Sequence, residues 1–515
     1  MAKLTLTDIT SGYQSPSTIN DNNAAIEAAL ENTLSRDGTS PNTMSAPLDM
    51  NSQAINNLPD AVSNQQPITL SQAASLASVD VSLSRENVGA VLYPRTTDEI
   101  SAAITPTYFY YPEGNVLRYG AVGDDSTDST TAIQNAIDVM EQKGGGDVVV
   151  PAGTYIVSDT LTVNGPVWLR GEGAAFEQVF TASVSYSGSV IKLDDAAFTV
   201  STDAIIEFDY TGAGGEARLH GGASNILVFG NRGSNADPTH ANAKDNNTYG
   251  IGFLIKGARY VTLDHCFAIW CAEDGVQVIT DGVSSNNVRI LGGAYLSNSD
   301  DGIDWAGGDS YITDVQCGYN AGDGIACAGG VHLNNVRCWD NFTHGLRITS
   351  HDVNVTGGTF YDNQDAGILL SGAVERITIA GTTCQDNGKD TGESDSVRSG
   401  IYVSGACIAC SIAGLSTGNK DENGTTGQKY GLRIINTSAD IAYAGVSGNG
   451  NGTALLSDLR TAVSLGAITD SSGGTAADTI VAISGSGDDT DINNNFASLA
   501  RKVTALQTAL GLTEA

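Results

Sequence analysis

A glycine register in the middle of the chain constrains the fold more than any other feature. Seven segments align on it: "EDGVQV" (Gly275), "DDGIDW" (Gly302), "GDGIAC" (Gly324), "THGLRI" (Gly345), "DAGILL" (Gly367), "RSGIYV" (Gly400) and "KYGLRI" (Gly431). Successive glycines lie 27, 22, 21, 22, 33 and 31 residues apart, a period typical of solenoids. The next residue is always apolar (Val276, Ile303, Ile325, Leu346, Ile368, Ile401, Leu432). The one after it is mixed and mostly polar (Gln277, Asp304, Ala326, Arg347, Leu369, Tyr402, Arg433). The third is apolar again (Val278, Trp305, Cys327, Ile348, Leu370, Val403, Ile434). This in–out–in alternation is that of a short strand with one face buried.

An asparagine precedes the glycine by four residues at Asn298, Asn320, Asn341 and Asn363, and Asn387, Asn419 and Asn449 extend the column. Eight residues before these asparagines a second strand is marked by Ile290, Ile312, Leu333, Val355, Ile379 and Ile441, with Ser411 as the one break. Coils whose strands stack on one another form a parallel β-helix, and the asparagines read as a ladder of stacked amides. The 61 glycines and 16% charged residues suit short strands and tight turns.

A net charge of −33 excludes nucleic acid and anionic membranes as natural partners. It also disfavours a highly anionic glycan, unless a basic groove overrides it. No apolar run is long enough to cross a membrane as a helix. "MAKLTLTDIT" lacks the pattern of a signal peptide, so synthesis in a cytoplasm is expected. Eight cysteines fall between Cys266 and Cys410 without zinc-ligand spacing and are expected to be buried apolar side chains.

An open β-helix end exposes core and unpaired strand edges. Residues 119–157, "YGAVGDDSTDSTTAIQNAIDVMEQKGGGDVVVPAGTYIV", supply a cap. Asp128 or Ser129 starts a helix with Ile133, Ile137 and Met140 on one face, and the triple glycine ends it. This segment resembles the opening of the pectate-lyase-like right-handed β-helix superfamily, as found in bacteriophage tailspikes and capsular depolymerases. Residues 92–124, "LYPRTTDEISAAITPTYFYYPEGNVLRYGAVGD", resemble the neck that leads into that domain. "STINDNNAAIEAALENTLSRDGT", an amphipathic helix on Ile19, Ile26, Leu30 and Leu34, precedes "LDMNSQAINNLPDAVSNQQPITL". Together these resemble the virion-attachment segments of tail fibres and tailspikes.

At the other end Ile492, Phe496, Leu499, Val503, Leu506 and Leu510 follow 4, 3, 4, 3, 4 spacing, that of a short coiled coil. The expected organisation is a virion-attachment region over 1–91, a neck over 92–118, a β-helix over 119–468 and a connection with an oligomerisation helix over 469–515. The resemblance implies a homotrimer docked through its N-terminus on phage tail or portal-adaptor proteins. Such a protein would reside in the virion tail after assembly in the host cytoplasm.

The residue before the repeat glycine forms a second column of Asp274, Asp301, Asp323 and then His344. Carboxylates one coil apart repel, and their crowding raises their pKa values. They point to acid–base catalysis, a cation or sugar hydroxyls, whereas Asp-Gly turns with exposed, screened acids explain the pattern structurally. Asp304 faces outward on the adjoining strand. Its Cα lies within about 10 Å of that of Asp301, which allows the roughly 6.5–9.5 Å carboxyl separation of an inverting glycosidase. Asp301, Asp304, Asp323 and Asp274 are therefore the catalytic candidates, with Asp304 paired to Asp301 or Asp323. Glu273, His344, Arg347, Asp395 and Glu422 are the substrate-binding candidates. "NSDDG" and "THGLRI" are similar to the acid and His/Arg segments of polygalacturonases, without their full motif set. A lyase would use His344 and Arg347 near a uronate, against the surrounding acids.

No cofactor is expected. Asp300, Asp301 and Asp323 offer metal-ligand chemistry without a calcium-loop pattern, so no metal is assigned. Polar insertions at 388–399, 420–430 and 230–250 are expected to contact glycan or protein. Trp305 falls on the inward column and is expected to be packing. The expected role is an adhesin that binds a host surface polysaccharide, with endoglycosidase-type hydrolysis as an added capacity. The alternative is a non-enzymatic virion fibre or receptor-binding protein that uses the β-helix as a scaffold.

Overall fold

The structure, a computed structural model, describes residues 16–31, 85–177, 185–211, 220–232, 247–390, 392, 397–419, 427–436 and 439–460. The chain divides into two compact units, Met1–Leu83 and Ser84–Ala515. In the first, helix α1 (Pro16–Glu31) forms where expected and leaves Ile19 44% exposed. Leu34, the segment at 48–70 and the heptad positions from Ile492 to Leu510 lie outside the described residues.

The second unit is mainly β, a right-handed β-helix. The regular coils contribute one strand to each of three largely parallel sheets, visited in the order first (such as Arg289–Leu291), second (such as Ala294–Leu296), third. The third sheet contains the glycine-register strands, such as Ile303–Trp305, Ile325–Cys327 and Leu346–Ile348. Val276 pairs with Ile303, Ile303 with Ile325, Ile325 with Leu346 and Leu346 with Ile368, in unbroken register. These side chains are fully buried, as is Trp305, whose indole Nε1 donates to Gly307 O at 3.1 Å. The eight cysteines are also buried. Alternation in the sequence thus becomes a continuous apolar column inside the solenoid.

The asparagine ladder sits in the turn from the second sheet to the third. Asn298 Nδ2 donates to Asn320 Oδ1 at 3.0 Å, Asn320 to Asn341 at 3.0 Å, Asn341 to Asn363 at 2.9 Å and Asn363 to Asn387 at 2.8 Å. All five are fully buried, where an unpaired amide would cost about 1–3 kcal/mol. The ladder ends there. Gln385 pairs with Gly418 and Gly418 with Asn449, so Asn419 falls one position and Asn449 two positions short of the column. Gln428 takes over, accepting from Asn387 Nδ2 at 3.2 Å. The break at Ser411 likewise reflects register: Ile412 pairs with Ile379 and fills the column, and Ile441 pairs with Cys410 two residues away.

The repeat glycines are required for clearance. A Cβ on Gly302 would sit 2.7 Å from Asn320 Nδ2 and 2.5 Å from Gly324 O, and Gly324 meets the same obstacle from Asn341 and Gly345. None of Gly275, Gly302, Gly324, Gly345 or Gly367 has a positive φ. The left-handed positions are instead Ser297, Tyr319, Asp340, Asp362 and Asp386, one residue before each ladder asparagine.

The cap forms as expected around the helix Thr130–Gln142, with Ile133, Ile137 and Met140 buried. Its start differs in detail. Ser129 Oγ bonds back to Val122, and Asp128 Oδ1 accepts from Thr130 N at 2.8 Å. The neck residues join this cap, since Ile104, Val116 and Tyr119 share its core. Arg118 and Glu99, both fully buried, pair at 2.5 Å, and the guanidinium also donates to the carbonyls of Tyr93, Pro94 and Tyr111.

Candidate functional site

Asp301, Asp323 and His344 lie three residues beyond Asn298, Asn320 and Asn341 and two before the third-sheet strands that begin at Ile303, Ile325 and Leu346. Because the ladder holds the turns in register, Asp274, Asp301, Asp323 and His344 stack. Each carboxyl accepts the next coil's backbone N–H: Asp301 N donates to Asp274 Oδ1 at 2.9 Å, Asp323 N to Asp301 Oδ1 at 2.5 Å and His344 N to Asp323 Oδ1 at 3.0 Å. The three aspartates are only 4%, 7% and 2% exposed. Exposed, screened turn acids are therefore excluded as the explanation of the column, because each acid lies beneath the following turn.

Burial divides the column electrostatically. Burial, together with the neighbouring charge of Asp323, raises Asp301 to about 8. Asp274 is pushed well above the ordinary range by burial and by Asp301, Asp304 and Asp300. Burial acts the same way on Asp323, but the His344 ring, Arg347 and Thr343 outweigh it and hold that carboxyl down. His344 Nδ1 lies 3.0 Å from Asp323 Oδ1, and Thr343 Oγ1 donates to the same oxygen. Arg347 Nε donates to Asp323 Oδ2, and its Nη2 lies 3.6 Å from Asp301 Oδ2. The arrangement is a protonated carboxyl beside an ionised one, with a half-exposed guanidinium above both.

Asp304 is half-buried on the outer face, as the alternation requires, and burial raises it as well. Gln277, directly beside it in register, bridges Asp274 Oδ2 at 3.0 Å and Asp304 Oδ2 at 3.3 Å. Gln277 was not among the sequence candidates, although its place in the Asp304 column was the available signal. Nor was Asp365, whose Oδ2 lies 3.9 Å from His344 Nε2.

The pairing of Asp304 with Asp323 is disfavoured, because Asp323 is committed to Arg347, His344 and Thr343 and makes a weak base. Among the described residues, the cluster able to share a cation or a proton is Asp274, Asp300 and Asp301, each with one carboxylate oxygen within 4.8 Å of the others'. Asp323 is not part of it. Glu273 is half-buried, its amide donating to Gly250 O at 3.2 Å. Asp395 and Glu422 lie outside the described residues, as do most of the three polar insertions.

Residues 114–304 match the family model for rhamnogalacturonase A/epimerase, pectate lyase-like, and residues 249–442 match that for a right-handed beta helix region. Mannuronan C5-epimerase AlgE3 of Azotobacter vinelandii is 26% identical over 269 residues, which is 50% of this chain and 12% of that protein. The tail spike protein of Shigella phage Sf6 is 33% identical over 137 residues, 26% of this chain and 19% of that one. Each alignment thus spans under a fifth of the relative. Among solved structures, the A-module of the Azotobacter vinelandii epimerase AlgE6 has a TM-score of 0.49 at 19% identity, covering 67% of this chain and 96% of that one. The chain carries pectate-lyase-like right-handed β-helix domains, and its relatives include both polysaccharide-modifying enzymes and a phage tail spike protein.

Proposed function

We propose that the chain is a tailspike-type adhesin that binds a host surface polysaccharide along the outer face of the third sheet and hydrolyses it. The observation that carries this reading is the stacking of Asp301 on Asp323 beneath Arg347, with burial raising Asp301 while His344, Arg347 and Thr343 hold Asp323 down. Asp301 gives its proton to the glycosidic oxygen as the C–O bond breaks. Asp304, half-exposed beside it, takes a proton from the water that adds its hydroxyl to the anomeric carbon. Asp323 and Arg347 fix the charge around Asp301, and Gln277 orients Asp304. The sequence similarity to the Sf6 tail spike protein supports the phage setting. Trimer formation through 492–510 and tail docking through 1–91 belong to the same proposal.

The similarity to a C5-epimerase favours a second reading, proton transfer at C5 of a uronate with Arg347 against its carboxylate. One incubation separates the two. Purified protein is mixed with host surface polysaccharide and, in parallel, with a uronate polymer. Chain length, new reducing ends and ultraviolet absorbance of unsaturated ends are then followed. Hydrolysis is expected to yield shorter chains with reducing ends and no new absorbance. Unsaturated ends or an inverted uronate would replace it with the second reading, and binding without shortening would leave an adhesin alone.

A further inference from the structure

The outer face of the second sheet carries a feature that the acid column does not use. Its outward positions run in register as Phe267, Ala294, Gln316 and as Ile269, Leu296, Gly318, Trp339. Small residues at 294 and 318 leave a hollow of about 520 Å³ between larger neighbours, a size within the range of small-ligand sites. Phe176 closes one end, reaching over from the hairpin strand Ala174–Glu177 to meet Phe267 edge-on at 5.5 Å. Trp339 closes the other.

That indole is fixed in place. It lies so close over Gly318 that a Cβ there would come within 2.7 Å of it. It stacks on Tyr361 at 6.4 Å and 10°, and Arg337 sits 5.0 Å from its ring. Leu296 and Ala294 form an apolar floor. The polar groups gather on one side, at the corner between the first and second sheets: His265, Asp314 and Gln316. His265 Nδ1 is paired with Asp264 at 2.7 Å, and Asp314 Oδ1 accepts from Asn335 at 2.6 Å. Two sides of the ring of hydrogen-bonding groups are thus held by the protein itself.

Flat aromatic and aliphatic walls with carboxylate, imidazole and amide groups along one rim match a pyranose. Its C–H face is apolar, and its edge carries hydroxyls that both donate and accept. Among the described residues no lysine or arginine lines the hollow itself, Arg337 standing behind the Trp339 wall, whereas Asp314 lines it and Asp264 stands behind His265. An anionic sugar is repelled there, and a nucleotide even more so on a chain of net charge −33. We propose that this hollow is a second, non-catalytic carbohydrate site, selective for a short neutral oligosaccharide. It lies on a different sheet from the acid column and holds or fails independently of the hydrolytic reading.

Saturation-transfer NMR titration of the full chain with maltotriose, cellotriose, mannotriose and trigalacturonic acid tests it. At least one neutral trisaccharide is expected to bind and trigalacturonic acid to bind more weakly. Trp339→Ala should weaken that binding by about tenfold or more, and Gln316→Ala, at an exposed position, by several-fold. Asp301→Asn should leave it unchanged, which separates this site from the column. Circular dichroism confirms folding, and if Trp339→Ala does not fold, the exposed Gln316 variant decides. The proposal is overturned if no neutral trisaccharide binds, if trigalacturonic acid binds as well, or if binding survives both substitutions. It is equally overturned if sedimentation shows Trp339→Ala releasing a second copy of the chain from this face.

Discussion

Asp301 has a backbone N–H on one oxygen and a guanidinium within 3.6 Å of the other, yet burial and the charge of Asp323 keep it protonated into the alkaline range. The sign of its effect on stability follows from linkage. Its folded pKa lies above its unfolded one, so its contribution is complete in acid and is lost as pH rises from about 4 to about 8. Asp323 runs the other way: its carboxyl is held down, so its contribution is present above the ordinary carboxyl range and lost in acid. Asparagine at 301 keeps the oxygen that accepts from Asp323 N and cannot ionise. Urea unfolding of Asp301→Asn between pH 4 and 8 is therefore expected to show a flatter decline than wild type, with the variant gaining on the order of 2–4 kcal/mol in relative stability at the upper end. Identical slopes would mean that folding leaves the Asp301 carboxyl unshifted.

Among the elements, the turn from second to third sheet couples ladder and column, since the glycine that clears the asparagine amide adjoins the acid. Gly324→Ala would place a Cβ 2.8 Å from Asn341 Nδ2 and 2.5 Å from Gly345 O. It is expected to cost about 1–3 kcal/mol in thermal or urea unfolding, as overpacking does. Adding Asn341→Ala should recover part of that loss rather than sum with it, because the amide is one of the two obstacles. Strict additivity would separate the glycine from the ladder. The register of these turns was legible because Gly302, Ile303 and Trp305 recur with a fixed chemical pattern. Its end was not legible: Asn419 has the right residue type, but one slipped position passes the ladder to Gln428, which belongs to no repeat. Burial of the acids was equally hidden, since an Asp-Gly pair reads as an exposed turn until the next coil is stacked on it. The Arg118–Glu99 pair and the meeting of Phe176 with Phe267 join distant or irregular segments, and no periodicity predicts them.

Over the whole molecule, one solenoid presents two chemically different faces. The third sheet carries the buried acids with Arg347 above them and the outward Asp304, whereas the second carries an aromatic hollow with Asp314 on its rim. In the proposed function the two faces divide holding a polysaccharide from acting on it, and the chain's net charge of −33 favours a largely neutral polymer. In the proposed reaction Asp301 delivers the proton. The most direct measurement is the pH dependence of reducing-end release from host surface polysaccharide by wild type and Asp301→Asn. Wild-type activity is expected to fall as pH rises through about 8, and the variant to lose about 100-fold or more at all lower pH values. Asparagine at 301 that cleaves at the wild-type rate, with the same pH profile, would mean that Asp301 is not the proton donor.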